Sequence, residues 1–154
     1  MRVALEYSIE QILPHSGRMQ LIDRAIEGDE ESLVSELVIR DDNLFFDGAS
    51  VGGWVGIEYM AQTVAAWAGW RARLLGESPK IGFLLGTRRY NCSRAAFHLG
   101  DTLRVEVRRH FQADNGLAQF DCKLEIDGAT VATAALTVFE PEDADAFLKG
   151  QGNE

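Results

Sequence analysis

The segment from Trp54 to Leu75 leaves this chain few ways to fold. Ala, Met, Gln, Glu and Trp dominate it, Gly53 precedes it and Gly76 follows, which together predict one long helix. Val55, Ile57, Met60, Ala61, Val64, Ala65 and Ala68 put apolar groups on nearly every side of its axis, so something must enclose it. Glu58, Gln62, Arg71 and Arg73 interrupt the run and the remaining segments have the character of a soluble protein, so we expect enclosure by protein and no membrane span.

The enclosing material is readable as strands. A short helical turn around SIEQIL ends near Pro14, and MQLIDRAIEG and ESLVSELVI follow as two strand-like runs about an acidic turn. Beyond the helix come IGFLLGTRRYN, TLRVEVRRHFQA, LAQFDCKLEI and ATVATAALTVFE. Asp114-Asn115-Gly116 and Asp127-Gly128 separate the last three, and these residue types supply the positive φ of hairpin turns. One long helix and about six strands in 154 residues make a single α+β domain, an antiparallel sheet wrapped around a central helix. That is the hotdog architecture, with its core expected over residues 8–140 and a polar tail over 141–154.

Charge and composition exclude several functions. A formal charge of −9 repels nucleic acid and anionic lipid. Cys92 and Cys122 fall on separate predicted strands without metal or redox spacing, and MRVALEYSIE lacks the start of a signal peptide, so a reduced cytoplasmic setting is expected. Three scattered histidines form no ligand set and no glycine-rich phosphate loop precedes a helix, so neither metal nor organic cofactor is expected.

Four motifs add a family resemblance: PHSGRMQLIDRAIE (Pro14 to Glu27), NLFFDG (Asn43 to Gly48), GGWVGIEYMAQ (Gly52 to Gln62) and FLLGTRRYNCSRAAFHLGDTLRVEV (Phe83 to Val107). In order and spacing they resemble the hotdog-fold 3-hydroxyacyl-(acyl carrier protein) dehydratases of fatty acid synthesis, most closely the dehydratase-like branch of aryl-polyene synthesis. The likeness runs from about Ile12 to about Glu140. It implies a 3-hydroxyacyl thioester on acyl carrier protein as substrate, a helix carboxylate that handles the 3-hydroxyl, a loop histidine that moves the C2 proton, and N–H groups at the helix start that polarise the thioester carbonyl. By position the carboxylate is Glu58 and the N–H groups are those of Gly53 and Trp54. The family's loop histidine has no counterpart, because Ala49 and Ser50 follow Phe45-Phe46-Asp47-Gly48.

Glu58 is the single carboxylate between Val51 and Trp70, and its apolar flanks predict a partly buried group with a raised pKa. His15, in a motif that the resemblance sets near the acyl tunnel, is the leading substitute base; His98 and His110 read as surface residues. Asp23 and Asn43 read as turn or strand-end hydrogen-bond partners, and Trp67 and Trp70 as core, subunit contact or tunnel wall. From Arg71 to Arg94 six basic residues (Arg71, Arg73, Lys80, Arg88, Arg89, Arg94) face one acidic residue, Glu77. Arg88, Arg89 and Arg94 are the candidate docking residues for an acidic acyl carrier protein. A thioesterase, in which Glu58 orients water, and a non-catalytic subunit that holds a carrier or completes a partner stay open beside the dehydratase. A homodimer, or a heterodimer with another hotdog protein, is expected because the resemblance implies a site formed between subunits.

Overall fold

The computed structural model describes residues 1–77 and 83–140, so Lys80 and the polar tail lie outside the described residues. In chain order the elements are β1 (Val3–Ala4), α1 (Ile9–Ile12), a 3-10 turn (Gly17–Met19), β2 (Arg24–Gly28), β3 (Ser32–Val38), β4 (Ser50–Gly52), a second 3-10 turn (Gly53–Val55), α2 (Gly56–Leu74), β5 (Phe83–Cys92), β6 (Ala96–His98), β7 (Thr102–Gln112), β8 (Leu117–Ile126) and β9 (Ala129–Phe139). Seven strands form one antiparallel sheet in the order β1-β2-β3-β7-β8-β9-β5, and β4 pairs with β6 as a separate ribbon.

The six strands expected from the sequence are all in the large sheet; the seventh is β1, two residues long and too short to show a period. Alternation builds the sheet: along β8, Ala118, Phe120, Cys122, Leu124 and Ile126 are buried, while the residues between them are more open. Asp127 (φ 52°) and Gly128 (φ 79°) close the β8–β9 hairpin in the left-handed conformation that an Asp-Gly turn supplies. Gly116 (φ 93°) does the same between β7 and β8.

The helix α2 lies across β3, β7 and β8 and buries Tyr59, Met60, Val64, Ala66 and Trp70 among Leu33, Leu37, Phe97, Val105 and Leu124. Its fit against α1 is close. A Cβ at Gly69 would lie 1.7 Å from the Ile12 carbonyl oxygen, so only glycine lets α1, and the loop leaving it, approach α2. Enclosure is one-sided, however. Trp54 and Glu58 are exposed and Ile57, Ala61, Ala65 and Ala68 only half-buried, so among the described residues nothing covers one stripe of this apolar helix. Among the described residues no helix is long and apolar enough to cross a membrane. Cys92, half-buried, and Cys122, buried, are both free thiols.

Candidate active site

His15 and Glu58, far apart in the chain, line one cavity of about 320 Å³ between α2 and the last strands of the sheet. Ala61, Ala65, Trp67, Phe120 and Val138 make its walls largely apolar, and Arg109 and Gln112 add polar groups. Trp67 packs edge-on to Phe120 at 5.4 Å between ring centres, and the Arg109 guanidinium lies 5.3 Å from the Trp67 ring centre. Trp67 is thus a cavity wall, while Trp70, 3% exposed, belongs to the core. A larger groove of about 620 Å³ near the N-terminal strand is lined by carboxylates such as Asp29 and Glu31 but by no histidine or cysteine.

Glu58 sits in the first turn of α2, where the partial positive charge of a helix start favours a carboxylate. Its predicted burial is corrected: the side chain is exposed, because Glu58 falls on the stripe of α2 that the sheet does not cover. His15 comes from the loop that α1 delivers to the same place. Its Nδ1 is buried with no hydrogen-bond partner among the described residues. Burial holds the imidazole below its ordinary pKa, against the opposing pull of the Glu58 charge. A neutral imidazole with an uncommitted ring nitrogen can accept a proton.

The residue that holds this loop in place was not singled out in the sequence. Gln62, one turn beyond Glu58 and 3% exposed, accepts a hydrogen bond from the Leu21 N–H (2.8 Å) and donates one to the Met19 carbonyl (2.7 Å). Its amide therefore ties the segment after His15 to α2. The available signal was an amide at a core position of an otherwise apolar helix, since buried polar groups are there to be paired.

The expected carbonyl donors, Gly53 and Trp54, are not among the residues that line this cavity, and they fare unequally. The Gly53 N–H donates to the Ala95 carbonyl at 2.9 Å and so is already engaged. Trp54 lies in the first turn of the 3-10 segment, where helical geometry offers its N–H no intrahelical acceptor. Trp54 is 62% exposed, and its ring meets Phe45 edge-on. Before β4, the Asp47 carboxylate accepts the N–H groups of Ala49 (3.0 Å) and Ser50 (2.9 Å), which folds into a tight turn the stretch where the resembling family carries its histidine.

The basic run is divided by its contacts. Arg94 pairs with Asp101 (3.2 Å) and His98 (2.8 Å), Arg73 donates to the Gln11 carbonyl, and Arg71 lies over the Trp70 ring. Arg94 is thus tied into its own loop, which weakens it as a docking residue. Arg88 and Arg89 remain exposed on β5. His110 is an exposed strand residue near Asp121. Asp23 accepts the Val38 N–H and pairs with Arg40, and Asn43 accepts the Arg40 N–H, so both serve strand ends and turns. Among the described residues no group of three or more His, Cys, Asp or Glu is placed to hold a metal ion.

No curated protein matches this chain. Its fold is similar to the dehydratase heterocomplex ApeI:P from Xenorhabdus doucetiae, at 24% identity over 94% of this chain and 97% of that chain, with a TM-score of 0.83. It is also similar to a hypothetical thioesterase with coenzyme A from Streptococcus pneumoniae (14% identity, 76% and 84% covered, TM-score 0.60). A third similar structure is the PaaI protein of E. coli (16% identity, 75% and 77% covered, TM-score 0.58). At such identities these likenesses speak for the hotdog fold alone. Residues 7–149, however, match the family described as ApeP-like, ApeP dehydratase, and with nearly the whole length accounted for, this chain belongs to the ApeP-like dehydratase family.

Proposed function

We propose that this protein dehydrates a 3-hydroxyacyl thioester carried by acyl carrier protein, in fatty-acid or polyene synthesis in the cytoplasm. The observation that carries the proposal is the meeting of His15 and Glu58 on one cavity whose remaining walls are largely apolar. An acyl chain fits such walls, and an imidazole and a carboxyl of different environment on one cavity suit β-elimination. His15 takes the C2 proton, and the electron pair moves toward the thioester carbonyl, whose oxygen is met by the Trp54 N–H. As the C3–O bond breaks, the proton that His15 took at C2 is relayed through the Glu58 carboxylate to the departing hydroxyl, which leaves as water, and both groups return to their starting state.

The uncovered stripe of α2 is the place for a second hotdog subunit, either another copy or a relative. Arg88 and Arg89 then offer the carrier protein a basic landing place in an acidic molecule. A second reading has its own support. The tight turn at Asp47 to Ser50, without a histidine, together with the exposed Glu58, suits a subunit that completes a partner's site.

Glu58→Gln preserves shape but removes proton transfer, so turnover should fall by roughly a hundredfold or more with folding nearly unchanged. Mass spectrometry of 3-hydroxyacyl carrier protein separates loss of water from loss of the acyl group, and so dehydratase from thioesterase. Undiminished turnover in Glu58→Gln would sink the enzymatic reading. A parent chain active only with a histidine-containing hotdog partner, and indifferent to Glu58→Gln, would establish the subunit reading.

A further inference from the structure

Two glycines of GGWVG, at the entry to α2, are each demanded by a different neighbour. A Cβ at Gly53 would lie 2.3 Å from the Arg94 carbonyl oxygen, and one at Gly56 would lie 2.2 Å from the Tyr90 hydroxyl. The space that Gly56 leaves is used. Through it the Tyr90 hydroxyl reaches the Gly53 carbonyl and donates to it at 2.5 Å, while the Gly56 N–H donates to the same oxygen. From the other side the Gly53 N–H is held by Ala95, and the Cys92 thiol donates to the Arg94 carbonyl at 3.2 Å.

Tyr90 owes its aim to a bulge. In β5 Arg88 pairs with Ala135 but Asn91 pairs with Thr133, so one extra residue enters the strand. Arg89 takes it up at φ 56°, in the left-handed region that costs a side chain energy, and the Asn91 amide donates to the Arg89 carbonyl at 3.1 Å. In a strand of regular register Tyr90, two residues from Arg88, would share a face with that exposed side chain.

The Gly53 carbonyl and the Trp54 N–H are the two ends of one peptide unit. The unit is planar and trans, so fixing the oxygen fixes the direction in which the N–H points. A donor on the oxygen also draws electron density from the nitrogen and strengthens the N–H as a donor. We propose that Tyr90 is a positioning residue for the thioester carbonyl: its hydroxyl orients and polarises the Gly53–Trp54 peptide so that the Trp54 N–H meets the oxygen on which negative charge develops. This inference rests on the dehydratase reading above, and its sharper content is that a residue on β5 governs the donor at the start of α2.

Tyr90→Phe removes the hydroxyl and keeps the ring. Weakening one preorganised donor should lower kcat by about tenfold with KM within about twofold, since the donor acts on developing charge. Infrared difference spectroscopy on the full chain with bound hexanoyl-pantetheine, which cannot lose water, reads the donor directly. The carbonyl band, shifted down on binding to the parent, should move back by about half in Tyr90→Phe. Gly56→Ala, whose Cβ presses on the hydroxyl, should reproduce that change, and Glu58→Gln should lower turnover by roughly a hundredfold or more while leaving the band in place. In the ligand-free protein the Trp54 amide proton should move upfield in Tyr90→Phe. A band shifted in the parent and unmoved in Tyr90→Phe overturns this inference alone. A parent band at its solution frequency overturns the donor assignment and this inference together. An unmoved Trp54 amide in the ligand-free protein overturns the polarisation by Tyr90 whatever the substrate does.

Discussion

Replacing Gln62 with leucine leaves an apolar side chain one atom shorter and removes both hydrogen bonds, leaving the Leu21 N–H and the Met19 carbonyl without their partner. The Leu21 bond is fully buried and the Met19 bond partly so. An orphaned buried donor costs roughly 1–3 kcal/mol, a half-exposed carbonyl less because water can reach it, and added apolar burial returns about 1 kcal/mol. Taking about 1 kcal/mol for the carbonyl, a net loss of about 1–3 kcal/mol follows, which for a chain of this length lowers Tm by roughly 2–12 °C. Because the freed segment carries His15, turnover measured well below Tm should fall as well, by about tenfold. Gln62→Glu separates the two bonds. Burial raises the pKa of the introduced carboxyl above its unfolded value, so the neutral form, which both accepts from Leu21 and donates to Met19, is favoured in the folded state. Its stabilising contribution is complete below the unfolded carboxyl pKa and is lost as pH rises through the raised folded value. The variant should therefore melt closer to the parent at pH 5 than at pH 8, by circular dichroism at both. A Gln62→Leu protein that melts within about 1 °C of the parent with unchanged turnover would refute the bridging role.

The lowered pKa of His15 also has a sign that can be tested. The unfolded chain binds that proton more readily, so the associated stability is lost as pH falls from about 6.5 through the depressed folded value. Urea unfolding across that range should show a steeper acid-side decline in the parent than in His15→Gln, and parallel profiles would contradict the buried, neutral imidazole. Reversing Arg88 and Arg89 to Glu should weaken carrier-protein binding, most visibly at low salt, while a small thioester mimic is turned over as before. Equal losses on both substrates would make the pair structural.

Much of this protein is decided within short stretches of sequence. The length of α2, the six longer strands and the two hairpin turns follow from side-chain periodicity and from residues that accept positive φ, both properties of neighbours in the chain. Glu58 and His15 were legible as candidates because a charge in an apolar helix and a histidine in a recognised motif stand out by composition alone. What no local pattern carries is where distant residues meet. Gln62 gains its role only when the loop after α1 crosses α2, which the bare Gly69 permits, and Tyr90 gains its own only through a bulge that turns it toward Gly56. The strands β1, β4 and β6, two or three residues each, are too short for a period and exist because partners already in place offer them hydrogen bonds. The exposure of Glu58 is tertiary as well. Its flanks are apolar, but the sheet packs on only one side of the helix, so the surface that the sequence marks for burial stays open among the described residues.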